Sequence, residues 1–413
     1  MDLPRVLRVR RQFDRAEIAD VPAEVRRVLE AAGLAERIRP GLSIAVTAGS
    51  RGIDRMVEVL AALVTWLKEH GAKPFLVPAM GSHGGATAEG QAALLAGLGI
   101  TETSAGAPIR SSMETRVLGV VDGLPVHLDR LAAEADGIVV VNRIKPHTSY
   151  HGPCESGLIK MLAVGLGKRE GAEAVHRRGP RALRDTVPRM AEFILARASV
   201  FFGLALVENA FDRLARIEAV PANAMLSREP GLLAEAEARL PSLPFHEIDV
   251  LVVDRIGKEI SGTGLDTNVI GRLHIAGEPE PELPRIRRIV ALDLSPGAQG
   301  GAYGIGLADV TTERLVRKID PAQVRENALA STFLERAKVP IAFATDREAI
   351  AAALACSWCE DPARGRLVRI QDTLHLAELM VSEDLAQRSL APLEIVSGPN
   401  PLPFNAEGNL KGW

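Results

Sequence analysis

Three times in the N-terminal half of this chain an apolar run breaks into a glycine-rich polar loop and then into a helical pattern. Residues 42–47 form the first run, followed by a turn at 48–52 and apolar residues at helical spacing from 56 to 70, stopped by Gly71. The second run, 74–78, leads into the loop 80–87 and a helix over 88–98 closed by Gly99. The third, 137–141, opens a long loop, 142–160, ahead of a helical stretch at 170–178. A tight hairpin cannot return a strand parallel to its predecessor; an intervening helix can, so this repetition predicts parallel βαβ units. In such a sheet all strand ends carrying loops lie on one edge, where ligands bind.

A second strand–helix series begins at 248–253 and continues through 289–294, a helix at 311–319, a strand at 340–344 and a helix at 346–355. Prolines 241 and 244 punctuate a linker at 242–246, and the tail from 398 reads as extended. The expected architecture is two α/β domains with largely parallel sheets and an active-site cleft between them. The expected boundaries are 1–240 for an N-terminal cofactor-binding domain and 245–413 for a C-terminal domain closing over the site. At 413 residues and 47% hydrophobic content the chain can build two cores, and with 4% aromatics these rest on aliphatic side chains. A net charge of −3 gives no electrostatic case for nucleic acid or an anionic membrane. Three cysteines do not make a disulfide framework. Neither a signal peptide nor an apolar run long enough to span a bilayer is visible, so the expectation is a cytoplasmic protein.

The third loop concentrates reactive side chains: Lys145, His147, His151, Cys154, Glu155 and Lys160 among small residues. His83 and His147 each follow a strand, on loops that converge at one sheet edge. An imidazole titrates near neutrality, so the two are candidate acid/bases, or else histidines bonded only to their own turns. Lys160 sits in the apolar run 158–164, where a lysine either snorkels to water or is desolvated and reactive. None of the loops is a Walker A or GxGxxG fingerprint. Cys356 and Cys359 form a CxxC without a second one, too few ligands for a zinc or iron–sulfur centre. In the second series, Lys258, Ser261 and Thr263 lie on a glycine-rich loop after a buried strand.

Taken in order, these motifs resemble the lactate racemase family. Gly81-Ser82-His83 is similar to the family's glycine–threonine–histidine turn, and Pro146-His147 to its Pro-His pair. The segment Gly157 to Lys160 is similar to the one ending in the cofactor-bearing lysine, and His176 follows sixteen residues later at the family's spacing for the nickel ligand. The resemblance covers the first domain well and the second loosely. It implies a racemase or epimerase of a 2-hydroxy acid carrying a nickel pincer nucleotide, a pyridinium mononucleotide that binds nickel through a carbon and two sulfurs. Lys160 would attach that cofactor covalently, with Ser50 and Gly157 beside it, and His176 would bind the metal. His83 and His147 would be the acid/base pair on opposite faces of a carbon that gives up and regains hydride. Arg51 would grip the substrate carboxylate, joined by Lys258 and Thr263. The implied partners are the small-molecule substrate and, transiently, cofactor-biosynthesis proteins; a homo-oligomer is compatible.

The chain also departs from the family's pattern. Its first loop, Thr47-Ala48-Gly49-Ser50-Arg51-Gly52, keeps an arginine but lacks the acidic pair and prolines of lactate racemases. The loop between His147 and Lys160 is longer and adds His151, Cys154 and Glu155. These changes line the substrate side, so the expected substrate is a 2-hydroxy acid other than lactate, larger or a sugar acid. The competing classes are an iron–sulfur or thiol redox protein, and a nucleotide-binding protein without racemase activity.

Overall fold

The computed structural model describes residues 2–413. It divides into two compact units, one formed by Asp14–Leu240 and the other by the residues up to Phe13 together with Pro241–Trp413. Strand β1 (Val6–Arg10) therefore departs from the boundary expected at residue 240. Its backbone pairs with strands near the C-terminus, and Val9 is fully buried in that unit's core.

The Asp14–Leu240 unit is built on β2 (Ser43–Ala48), β3 (Lys73–Pro78), the hairpin of β4 (Thr115–Val121) and β5 (Leu124–Asp129), then β6 (Gly137–Arg143), β7 (Val200–Glu208) and β8 (Leu214–Pro221). Its main sheet runs β3-β2-β6-β7-β8, parallel except for β8. Runs such as Ile138-Val139-Val140-Val141 are buried on both faces, which is why they read as continuous apolar stretches rather than as alternation. One face packs against the helices Val21–Ala31 and Met56–Glu69, and the other against the chain from Leu158 to Leu195. The Met56–Glu69 helix ends as the glycine at 71 required: Gly71 has φ +82, and its N–H closes the last turn onto Lys68.

The second unit holds β9 (Glu247–Val253), β10 (Arg285–Ala291), β11 (Val310–Thr312), β12 (Ile341–Phe343), β13 (Leu367–Ile370), β14 (Glu378–Ser382) and β15 (Glu394–Asn400). The order is β12-β11-β10-β9-β13-β14-β1-β15, parallel from β12 to β13 and antiparallel beyond. Both units are thus α/β with largely parallel sheets, as expected. Two local readings need correction. The helix expected at 311–319 is the buried strand β11 followed by a one-turn helix, Glu313–Val316. The linker at 242–246 is not a solvated connection, because Leu243 and Phe245 are buried in the second unit's core. Among the described residues, no helix is long and apolar enough to cross a membrane.

Candidate active site in the N-terminal unit

The loops leaving β2, β3 and β6 meet at one edge of the sheet, and the side chains they carry form a connected cluster. Ser50 Oγ and His83 Nδ1 share a hydrogen bond of 2.5 Å. Next to Ser50, Arg51 is exposed as a residue, yet its guanidinium pKa is lowered by desolvation and by Arg143. Arg143 itself is ion-paired with the buried Glu208. Among the described residues no carboxylate ion-pairs with Arg51, so its charge is available to an anion.

The long loop after β6 is ordered around one carboxylate. Lys145 and Ser156 exchange backbone hydrogen bonds of 2.9 and 3.1 Å and close its neck. Inside, the buried Glu155 accepts from His147 N at 2.5 Å and Gly152 N at 2.9 Å, and lies 3.2 Å from His151 Nδ1. His147 Nδ1 accepts from Ser149 N at 3.1 Å, so the neutral ring carries its proton on Nε2. The His147 ring sits 4.5 Å from that of Tyr150, and Lys160 Nζ lies 5.6 Å from the Tyr150 ring centroid. Cys154 is buried among acidic groups, and its thiol is pushed up to about 12 by burial and by Glu229, which removes it as a nucleophile.

Lys160 and His176 lie on one interrupted helical stretch. It runs through a turn at Leu158–Lys160, a π-helical segment Met161–Gly165 and an α-helix Lys168–His176. A straight α-helix would hold residues this far apart about 24 Å from each other. Lys168, at φ +53, breaks the path, and His176 returns to within electrostatic reach of Lys160. Burial, reinforced by Arg51, lowers the Lys160 ammonium to about 7. Burial and the Lys160 charge lower the His176 imidazolium to about 4. At neutral pH the histidine is therefore neutral and the lysine has a large free-amine fraction.

The start of this stretch is fixed from behind. Asn142 Nδ2 donates to Gly157 O at 2.9 Å, and Ile159 N donates to Glu229 Oε2 at 3.0 Å. Gly157 is required by space, since a Cβ there would overlap the Glu229 carboxylate. Glu229 is almost fully buried and raised to about 7 by desolvation. Nothing in the sequence marks Glu229: it sits mid-helix in Met225–Arg239, seventy residues from the backbone it caps. Tyr150 and Asn142 carry no sequence signal of their own either, although both flank the histidines and lysines of the loop.

His83, His147, Lys160, His176, Ser50, Arg51 and Gly157 thus belong to one edge of one unit. Lys258 and Thr263 belong to the other unit. There Lys258 Nζ donates to Asn327 Oδ1 at 3.0 Å, and the buried Thr263 hydroxyl donates to Leu265 O at 2.5 Å.

No family model matches this sequence. No curated protein matches it either. Among solved structures, the lactate racemase apoprotein from Thermoanaerobacterium thermosaccharolyticum is similar, with a TM-score of 0.52 over 89% of this chain and 98% of that one. The chain has a lactate racemase-like fold. Identity to that apoprotein is 14%, so the likeness concerns the course of the backbone. Within this racemase-like fold, among the described residues, no group of three or more His, Cys, Asp or Glu could hold a metal ion.

Proposed function

We propose that this chain is a racemase or epimerase of a 2-hydroxy acid that works with a nickel pincer nucleotide held by Lys160 and His176. The observation that carries the reading is the broken helix, which returns a neutral imidazole to a lysine of lowered pKa beside an unneutralised arginine. The residues fit the cofactor's demands. A free amine at Lys160 can be acylated, and an unprotonated His176 has a lone pair for a borderline metal such as nickel. Bound there, the cofactor would supply an acceptor for the C2 hydride.

The chain's own residues do the rest. Arg51 binds the substrate carboxylate through its planar fork. His83 and His147 take the hydroxyl proton and return it, which inversion at C2 requires from two sides. Ser50 orients the His83 ring, and Ser149 N fixes the tautomer of His147. The ordered loop around Glu155 carries His151 to the exposed rim beside His147, a place suited to the distal hydroxyls of a larger acid.

The test is to produce the protein together with the enzymes that make the cofactor. It should then carry nickel and a mass increment on Lys160. Lys160→Ala should lose the increment, and His176→Ala should keep the increment but release nickel to a chelator. A panel of C2-deuterated 2-hydroxy acids should include one that is inverted with its deuterium retained. A wild-type protein with neither nickel nor increment sinks the reading.

A further inference from the structure

The side chains that shape the helix break lie in a buried polar network that the reaction itself does not use. Lys168 is fully buried at the break, and its ammonium meets three acceptors: Pro78 O at 2.5 Å, Asp129 Oδ2 at 3.0 Å and Gln91 Oε1 at 3.2 Å. The first and last are hydrogen bonds and the carboxylate contact is an ion pair, so the cation is neutralised and held from three sides. Gln91, fully buried in the helix Ala88–Gly97, donates through Nε2 to Gly81 O at 2.8 Å and His83 O at 3.3 Å. Asp129, also fully buried, accepts from Ala132 N at 2.8 Å, and its own N–H donates to Leu166 O at 2.7 Å. Gly81 N closes the ring by donating to Gly165 O at 3.1 Å.

We propose that Asp129, Lys168 and Gln91 are positioning residues that set the His83 turn at a fixed distance from the Lys160–His176 reversal. The proposal rests on the racemase reading for its purpose, but its geometry stands apart from it. A desolvated ion pair adds little net stability over an apolar replacement, so stability alone does not account for one here. What this pair does have is direction. One side is the residue with φ +53 that reverses the helix, and the other, through Gln91, is the backbone of the histidine turn. Carbonyls 81 and 83 are held by an amide that Lys168 in turn holds, so a shift at the reversal reaches His83 through two hydrogen bonds.

The experiment uses Gln91→Met, which keeps the volume and removes both donors, and the paired variant Asp129→Asn with Lys168→Met, which removes both charges so that neither is left buried alone. In the full-length apoprotein, the ring nitrogen signals of His83 should move in Gln91→Met while those of His70, bonded to Trp66 O elsewhere in the unit, stay in place. In the loaded enzyme, kcat should fall by about tenfold to a hundredfold with KM changed by less than about threefold, as expected for misplacing an acid/base rather than a binding group. If Gln91→Met does not fold, the paired variant gives the same readouts. A folded variant whose His83 signals match wild type overturns the proposal. So does activity lost only in proportion to the folded fraction. The absence of nickel and adduct in wild type would instead refute the racemase reading, while the apoprotein signals would still report on the network.

Discussion

Three desolvated ionisable side chains near the sheet edge, Glu229 buried and Lys160 and His176 half-buried, make their environment measurable by pH. Glu229 is held neutral up to about 7 by burial, against an ordinary value of 4.5, so its contribution to stability is present below 4.5 and is lost as pH rises through 7. Glu229→Gln should remove that slope and gain up to about 3 kcal/mol above pH 8, read by denaturant unfolding across pH. His176 has the opposite sign. Its folded value near 4 lies below the ordinary 6.5, so stability is lost as pH falls from 6.5 toward 4, and His176→Ala should flatten that limb. Lys160, lowered to about 7, should be the first lysine acylated by a small electrophile in the apoprotein, with a rate rising through pH 7. A labelling rate that rises only near pH 10 would contradict this. His83, His147 and Lys160 were legible because rare residue types after apolar runs stand out, whereas His176, on a charge-rich helix, stands out only through the spacing that the family resemblance supplies. Glu229 and Gln91 were not, since a polar residue inside an amphipathic helix looks the same whether it faces water or a buried partner.

The helix Met56–Glu69 and the strand Gly137–Arg143 match the apolar patterns expected there to within two residues, whereas the strand expected at 289–294 lies at Arg285–Ala291. Short buried pieces failed. The three residues of β11 are too few to show any period, and their neighbours up to residue 319 mimic a helix. The break at Lys168 was invisible for another reason. Lys-Arg-Glu after a glycine reads as a solvated helix start, whereas the lysine is the one member that points inward. The junction where the Lys160 segment begins makes a sharp test. Gly157→Ala would drive a Cβ into the Glu229 carboxylate, and should cost about 1–3 kcal/mol and reduce adduct formation on Lys160. Unfolding curves and intact mass check the two halves of that statement separately.

Over the whole molecule, the two-part α/β plan was readable from the repeat of strand, loop and helix, but the membership of the first strand was not. Arg8 and Arg10 grip Glu378, about 370 residues away, and no local pattern signals a partner at that distance. The asymmetry yields a prediction. A chain covering 14–240 should fold alone, with a cooperative thermal transition. A chain covering 241–413 should not, because β14 and β15 would both lose the strand that joins them. Adding residues 2–13 as a separate peptide should restore protection from proteolysis at the C-terminal end.

That first strand also imposes a schedule on synthesis. Its apolar residues emerge from the ribosome ahead of the Asp14–Leu240 unit, yet the strands that flank it are made well after that unit. At about 5–20 residues per second the nascent chain carries this orphan for roughly 20–70 s. Through that interval Val6, Leu7 and Val9 have no native strand partner, while the contiguous unit between them and their destination can already be complete. Charges at Arg5, Arg8, Arg10 and Arg11 alternate with those apolar residues, and in the waiting chain they are what keeps one unpaired edge from finding another.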